Sequence, residues 1–212
     1  MGTGSHRLIG NPGCGSAIVE AALALSGLPY ETEMLEIWQP GPERDRLFQL
    51  NPLGQVPVLI LPDGCVMTES AAMVLHVIDQ APDAGLAPGP NDATRPAFLR
   101  WLVFLVASIY PTFTYGDYPG RYVNEQDARD ELRAVTDAEC QRYWRQIETS
   151  IAGPWMLGET RSALDLYVWV MSHWRPRRPW FASYCPNLSR IADAVDADPR
   201  LAGVKAANWP EA

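Results

Sequence analysis

Asn51-Pro52-Leu53-Gly54-Gln55-Val56-Pro57-Val58-Leu59-Ile60-Leu61-Pro62-Asp63-Gly64-Cys65-Val66-Met67-Thr68-Glu69-Ser70 is the stretch that decides how this chain folds. Val56 to Leu61 is a dense aliphatic and β-branched run, Asp63-Gly64 is a strong hairpin turn signal, and Cys65-Val66-Met67 reads as the returning strand. A helix follows from about Ser70 to Gln80, with Val74, Val77 and Ile78 on its inner face. Proline at the start of an otherwise central-looking strand is unusual, because it has no N–H for the sheet ladder. A cis Val56–Pro57 bond resolves the conflict by turning the backbone and leaving the Val56 N–H and C=O to an extended ligand. Ser70 then stands at a helix N-terminus, where its hydroxyl and free backbone N–H groups can hold a carboxylate. Glu69 beside it can hold an ammonium group, so a free amino-acid head group satisfies both. Taken singly, Pro57 is an edge-strand or turn residue and Glu69-Ser70 a helix cap. Their joint spacing around one hairpin favours a ligand site.

Upstream, Arg7 to Gly10 forms a short strand that enters the turn-rich loop Asn11-Pro12-Gly13-Cys14-Gly15-Ser16. From Ala17, the residues Ile18, Ala21, Ala22, Leu25 and Leu28 share a helical face, and Ser26-Gly27 ends the helix. Tyr30 to Ile37 is a weaker strand candidate, and Pro40-Gly41-Pro42 opens a short charged helix to about Leu50. The order so far is βαβ, then αββα. Residues 82–91, with Pro82, Gly85, Pro88, Gly89 and Pro90, read as a linker. Beyond it only helical periods occur. Phe98, Trp101, Leu102, Leu105, Val106 and Ile109 form one face, and Asp127 to Ile151 is a long charged helix. Ser162 to Trp174 is a third helix, and Leu188 to Val195 a fourth. The expected organisation is an α/β domain over 1–81, a linker over 82–91 and an all-helical domain over 92–212.

A chain of 212 residues suits two small cores, and 47% hydrophobic with 20% charged residues is a globular composition. The formal charge of −8 argues against a nucleic-acid surface and against binding to anionic membrane. The apolar run from Trp101 to Ala107 is far short of a bilayer span, and the first ten residues carry no secretory pattern. Cys14, Cys65, Cys140 and Cys185 lie far apart, as do His6, His76 and His173, so neither a metal site nor a disulfide framework is expected. Free thiols in a reducing cytoplasm are the expected state. Gly10, Gly13 and Gly15 have the spacing GxxGxG, which does not match a dinucleotide fingerprint.

Residues 51–70 resemble the second half of the thioredoxin-like domain of the cytosolic glutathione transferases, whose order is NP-x-G-x-VPVL, hairpin, E-S. The resemblance, to a bacterial-like member, extends to the N-terminal strand, loop and helix ending in Ser26-Gly27-Leu28-Pro29-Tyr30. Ser162-Ala163-Leu164-Asp165 after Met156-Leu157-Gly158 is similar to the family's N-capping box, a structural exchange of hydrogen bonds across one turn. The family implies a thioredoxin-like glutathione-binding domain followed by an all-helical bundle, and a homodimer. It implies that glutathione is the co-substrate and a small hydrophobic electrophile the acceptor. It also implies that Val56 pairs through its backbone with the cysteinyl part, that Pro57 is cis, and that Glu69 and Ser70 hold the γ-glutamyl end, with Gln55 assisting.

Conjugation needs a thiolate, and a free thiol has a pKa of roughly 8.5. A hydroxyl or thiol donor aimed at the sulfur, with the positive end of the first helix, favours the ionised form. The family places that donor, a Tyr, Ser or Cys, in the loop after the first strand. This chain has no Tyr there and offers Asn11, Cys14 and Ser16. Matching helix ends sets the cysteine of bacterial cysteine-type members at Gly15 and that of omega-type members near Gly13. Zeta-like serines fall near Gly13 or Cys14. Cys14, Ser16, Asn11 and backbone N–H groups therefore all stay open as the donor. Three functions follow: a transferase or related lyase, a thiol–disulfide reductase working through a Cys14–glutathione mixed disulfide, or a non-catalytic glutathione- or ligand-binding protein of the same fold. Trp101, Phe104, Tyr110, Phe113, Tyr115 and Tyr118 concentrate aromatic surface along and after the first helix of the second domain. At helical spacing they read first as core, and the family resemblance implies that some line an acceptor cleft beside the glutathione sulfur. Trp174-Arg175-Pro176-Arg177-Arg178-Pro179-Trp180 reads as a solvated basic loop.

Overall fold

The computed structural model describes residues 4–210, so the expected domain limits at residues 1 and 212 lie outside the described residues. The chain divides into two compact units, Met1–Ala87 with Ala194–Ala212, and Pro88–Asp193. The contact division thus falls between residues 87 and 88, and the C-terminal segment belongs with the first unit.

In the first unit the elements run β1 (His6–Gly10), α1 (Ser16–Ser26), β2 (Tyr30–Met34), α2 (Pro42–Leu50), β3 (Val58–Ile60), β4 (Val66–Met67) and α3 (Ser70–Gln80). The sheet order is β2-β1-β3-β4, with β1 parallel to β2 and antiparallel to β3. Pro57 lacks an N–H, and β3 starts one residue after it, later than the hydrophobic run alone suggests. β2 is an edge strand of sequence Tyr-Glu-Thr-Glu-Met; it ends at Met34, short of the expected Ile37. There Leu35 donates its N–H to the Gly10 carbonyl (2.9 Å) and the chain leaves the sheet. α1 carries alanine at positions 17, 21 and 22, all fully buried, and ends on Gly27 at φ 73°, the left-handed cap that glycine adopts without penalty. Ile9, Leu35, Leu47 and Val58 form a core cluster beneath α2, with Ile37, Leu50, Val56 and Ile60 packed against it.

In the second unit α4 (Arg95–Phe104), a π-helical segment (Leu105–Ile109) and α5 (Tyr110–Asp117) form one continuous helix. Pro111 explains the wide turn: its ring collides with the carbonyl four residues back, and a π-segment just before it relieves the clash. This helix is apolar enough, at a mean hydropathy of 1.4, to match a bilayer span by composition. Phe98, Trp101, Leu102, Leu105 and Ile109 bury its apolar side within the unit's own core. α6 (Gln126–Glu148) packs on α5, and α7 (Ala163–Ser172), apolar around its circumference apart from Asp165 and Ser172, is buried along its whole length. α8 (Arg178–Tyr184) and α9 (Pro186–Asp196) follow. α8 starts inside the Arg/Pro run that reads as loop in the sequence, straight after Arg177 at φ 77°. α10 (Ala202–Asn208), also unanticipated, is only seven residues long, belongs to the first unit and docks on α1 there.

Ser162 caps α7 and Asp165 completes the capping box. The Asp165 carboxylate is fully buried and accepts from Met156 N (2.9 Å), Ser162 N (2.7 Å) and Ser162 Oγ (3.3 Å). Burial outweighs these donors and raises its pKa from 3.8 to about 6. In the pH range between those values the folded state binds more protons than the unfolded one. This group's contribution is therefore complete below 3.8 and is lost as pH rises through about 6. Asp165→Asn, which cannot titrate and turns an N–H toward buried donors, is expected to lower stability at neutral pH by about 1–3 kcal/mol. In urea denaturation the gap between wild type and variant should widen as pH falls from about 6 toward 4, by up to about 3 kcal/mol. A gap that stays constant or narrows contradicts the assignment.

Candidate functional site

The sheet register decides which loops share an end. Ile9 pairs with Val58, Leu59 with Met67 and Gly10 with Met34. The ends of β1 and β2, the start of β3 and the end of β4 therefore lie along one edge of the layer. From it emerge the loop Asn11–Gly15, the segment Leu35–Gly41, the turn Gln55–Pro57 and the entry to α3 at Glu69-Ser70. Of the residues singled out in the sequence, Asn11, Cys14, Ser16, Gln55, Val56, Pro57, Glu69 and Ser70 belong to that end.

Asn11 is 8% exposed and ties two of these loops together. Its Nδ2 donates to the Leu35 carbonyl (2.8 Å), and its Oδ1 accepts from the Trp38 indole N–H (3.1 Å) and the Cys14 thiol (3.5 Å). Ser16, the first residue of α1, is fully buried. Its hydroxyl donates to the Asn11 carbonyl (3.2 Å) and accepts the Asn11 N–H (3.3 Å), which closes the loop onto itself. A Cβ at Gly10 would come within 2.6 Å of the Ser16 side chain, so glycine is required there for this closure.

Cys14 is half-buried, with its S–H facing Asn11. The sequence suggests that the helix end lowers its pKa. Instead, burial pushes the thiol up to about 11. α1 begins two residues later, and desolvation outweighs the partial charge at its end. With that pKa, roughly one thiol in 10⁴ is ionised at neutral pH.

On the facing loop Pro57 is buried, Val56 half-buried and Gln55 exposed, and the Val56–Pro57 peptide is cis. Asn51, 4% exposed, braces this loop: its Nδ2 donates to the Gln55 carbonyl (2.8 Å) and its Oδ1 accepts the Leu53 N–H (3.1 Å). Glu69 is exposed at φ 68°, a conformation that costs a non-glycine residue of order 1–3 kcal/mol and clusters at ligand sites. It directly precedes Ser70, the first residue of α3, and its carbonyl accepts the Met73 N–H (3.0 Å). Trp38 and the C-terminal Asn208, which accepts the Gly13 N–H through Oδ1 (3.1 Å), are site neighbours that the sequence did not reveal. The Asn11–Trp38 and Gly13–Asn208 pairs are long-range and carry no local pattern.

Among the described residues no group of three His, Cys, Asp or Glu side chains converges on a point that could hold a metal. Cys65 is exposed and Cys140 and Cys185 buried, all as free thiols. In the second unit Trp101 is a core residue, Phe104, Tyr110 and Phe113 are half-buried, and Tyr115 and Tyr118 are exposed. The basic run is mostly committed internally: Arg175 pairs with Asp117 (2.7 Å) and Asp137, and Arg178 with Asp193.

Comparison with known proteins gives this end of the sheet a context. The family model described as "Glutathione S-transferase, N-terminal domain" matches residues 16–80. The "Uncharacterized GST-like protein YncG" of Escherichia coli strain K12 is 38% identical over 196 residues, covering 92% of this chain and 94% of that protein. The chain belongs to the glutathione S-transferase family. Glutathione S-transferase GST-4.5 of Xanthomonas campestris is 28% identical, over 79% of this chain and 81% of its own length. A crystal structure of a glutathione transferase homolog from Sulfitobacter with bound glutathione superposes with a TM-score of 0.82 at 26% identity, covering 95% of this chain and 97% of the other. The glutathione S-transferase fold, a thioredoxin-like α/β domain followed by helices, is the architecture of this protein.

Peptide-resolved iodoacetamide labelling of the free protein checks the state of the Cys14 thiol. The Cys14 rate should still be climbing beyond pH 9, toward a midpoint near 11. A plateau reached near neutral pH would show that the helix end wins over burial.

Proposed function

We propose that the protein is a glutathione transferase that binds glutathione across the Asn11–Gly15, Gln55–Pro57 and Glu69-Ser70 loops and conjugates it to small hydrophobic electrophiles. The observation that carries this reading is the strained Glu69 at the mouth of α3, at the same sheet end as the Cys14 loop and the Val56 turn. Glu69 holds the ammonium of the γ-glutamyl group, while Ser70 and the first N–H groups of α3 hold its carboxylate. Val56 precedes the β3 ladder, and its backbone pairs with the cysteinyl residue in the manner of an added strand, with Gln55 beside it. The glutathione thiolate then attacks the electrophilic carbon. A C–S bond forms, and either a leaving group departs with the bonding pair or the acceptor takes up a proton.

Cys14 serves best as a neutral S–H donor to that thiolate, its one proton turning from Asn11 Oδ1 to the ligand sulfur when glutathione binds. Its raised pKa supplies a proton to share and weighs against a mixed-disulfide reductase, which needs a thiolate in the free protein. Ser16 is too deeply buried to reach a ligand sulfur, and Asn11 acts by holding Cys14. The reading includes a cytoplasmic location, where reduced thiols and glutathione coexist, and assembly as a homodimer, which sedimentation would test.

Glutathione titration near neutral pH, followed by the ultraviolet difference absorbance of the thiolate, is the direct test. A saturable, stoichiometric rise is expected. Ser70→Ala should weaken binding about 10-fold, the loss of one hydrogen bond to a charged group. Cys14→Ala should lower kcat/KM for a reactive aryl halide by about 10- to 100-fold through the loss of one donor to the developing charge. Absence of any thiolate rise in the wild type would overturn the transferase reading. Deglutathionylation abolished by Cys14→Ser, with conjugation untouched, would favour the reductase instead.

A further inference from the structure

The C-terminal helix reaches the loop that carries Cys14, and the contact is built rather than incidental. Asn208, the last residue of α10, is 4% exposed and sits 195 positions away in sequence from Gly13, whose N–H it accepts through Oδ1 at 3.1 Å. The amide is held in that orientation from behind. Its Nδ2 donates to the Glu20 carboxylate (2.9 Å) and to the Val204 carbonyl (2.9 Å). Both acceptors lie on the nitrogen side, so the oxygen is left facing Gly13; flipping the amide would set oxygen against two acceptors. Glu20 belongs to α1, the helix that the Cys14 loop enters, and is itself only 5% exposed. Gly13 stands at φ 71°, and a Cβ there would lie 3.5 Å from the Trp209 indole nitrogen, so the C-terminal segment lies directly over the loop.

We infer that Asn208, oriented by Glu20, is a positioning residue that clamps Gly13 and so holds the adjacent Cys14 in its half-buried setting. The loop is pinned on two sides. Asn11 holds the Cys14 thiol from the β1 side, and Asn208 holds the Gly13 backbone from the C-terminal side. Release of the second pin lets residues 12–14 lift toward water, which exposes the thiol and makes its ionisation easier. The consequence for catalysis rests on the proposed role of Cys14 as donor to the glutathione sulfur; the positional coupling itself does not.

Labelling of Cys14 by iodoacetamide in the full-length protein, without glutathione and resolved by peptide, separates these layers. Asn208→Leu should raise the Cys14 rate at pH 8 by about fivefold, the factor equivalent to one ordinary hydrogen bond, and shift its pH profile downward. Exposed Cys65 serves as internal control and should not change. Glu20→Leu should reproduce the effect, whereas Glu20→Gln, whose amide oxygen still accepts from Asn208, should stay near the wild-type rate. The Glu20 pair also carries the test if Asn208→Leu fails to fold. A Cys14 profile unmoved in folded variants, or a rise shared equally by Cys65, overturns the clamp. If the wild type does not bind glutathione, the transferase reading fails while the labelling result stands. If it binds and ionises glutathione but labelling is unmoved, only the positioning role fails.

Discussion

The antiparallel pairing of β1 with β3, in the register that sets Ile9 against Val58, is the constraint on which the rest of the first unit depends. It brings the end of one strand beside the start of the other, so the Cys14 loop and the Val56 turn open at the same edge. A slip of one residue would turn Ile9 and Val58 out of their shared core and carry Pro57 into the ladder, where it has no N–H to donate. The hydrophobic cost and the lost hydrogen bond act in the same direction. Register is therefore tightly specified although β3 is only three residues long.

Within that frame the chemistry of the loop is settled by competition between a helix end and burial. The positive end of α1 is worth at most a kcal/mol or two at a partly exposed group. Withdrawing a thiolate from water costs more, and the pKa of Cys14 rises to about 11. The neighbouring side chains follow the same logic. Ser16 satisfies its own hydroxyl on the Asn11 backbone, and Asn11 directs its amide oxygen to Trp38 and Cys14. The result is a loop in which Asn11, Ser16 and the Cys14 thiol are tied to one another and to Trp38.

The second unit shows the same accounting on a structural carboxylate. Asp165 is held by three hydrogen bonds inside an apolar helix start, yet burial still raises its pKa. Its role is to terminate backbone N–H groups that would otherwise be buried without partners. The run Trp174 to Trp180, the one basic cluster in an acidic chain, is instead neutralised by carboxylates at a partly exposed surface. Asp117, Asp137 and Asp193 take up two of its three arginines.

Much of the fold was legible in the residues because its determinants are local. The period of α1, the Asp63-Gly64 turn, the proline ahead of β3 and the Ser162–Asp165 spacing each express a constraint acting over a few residues. The candidate loops were legible for the same reason, since the strand order alone sends them to one edge. The state of Cys14 was not, because its pKa depends on how much water the folded chain removes from it. Nor was the buried environment of Ser16. The Asn11–Trp38 bond and the clamp of Asn208 on Gly13 join residues 27 and 195 positions apart, and no periodicity marks either end. α10 is too short and too weakly patterned to announce itself, and it exists because Val204 and Asn208 bury against the rest of their unit. Sequence by itself determined the strands and helices whose patterns are local, from β1 to α3 and the long helices of the second unit, and which loops face one another. It did not mark α8 and α10. Tertiary packing decided which side chains in those loops are dry, protonated and held, because desolvation and long-range hydrogen bonds arise only when distant parts of the chain meet.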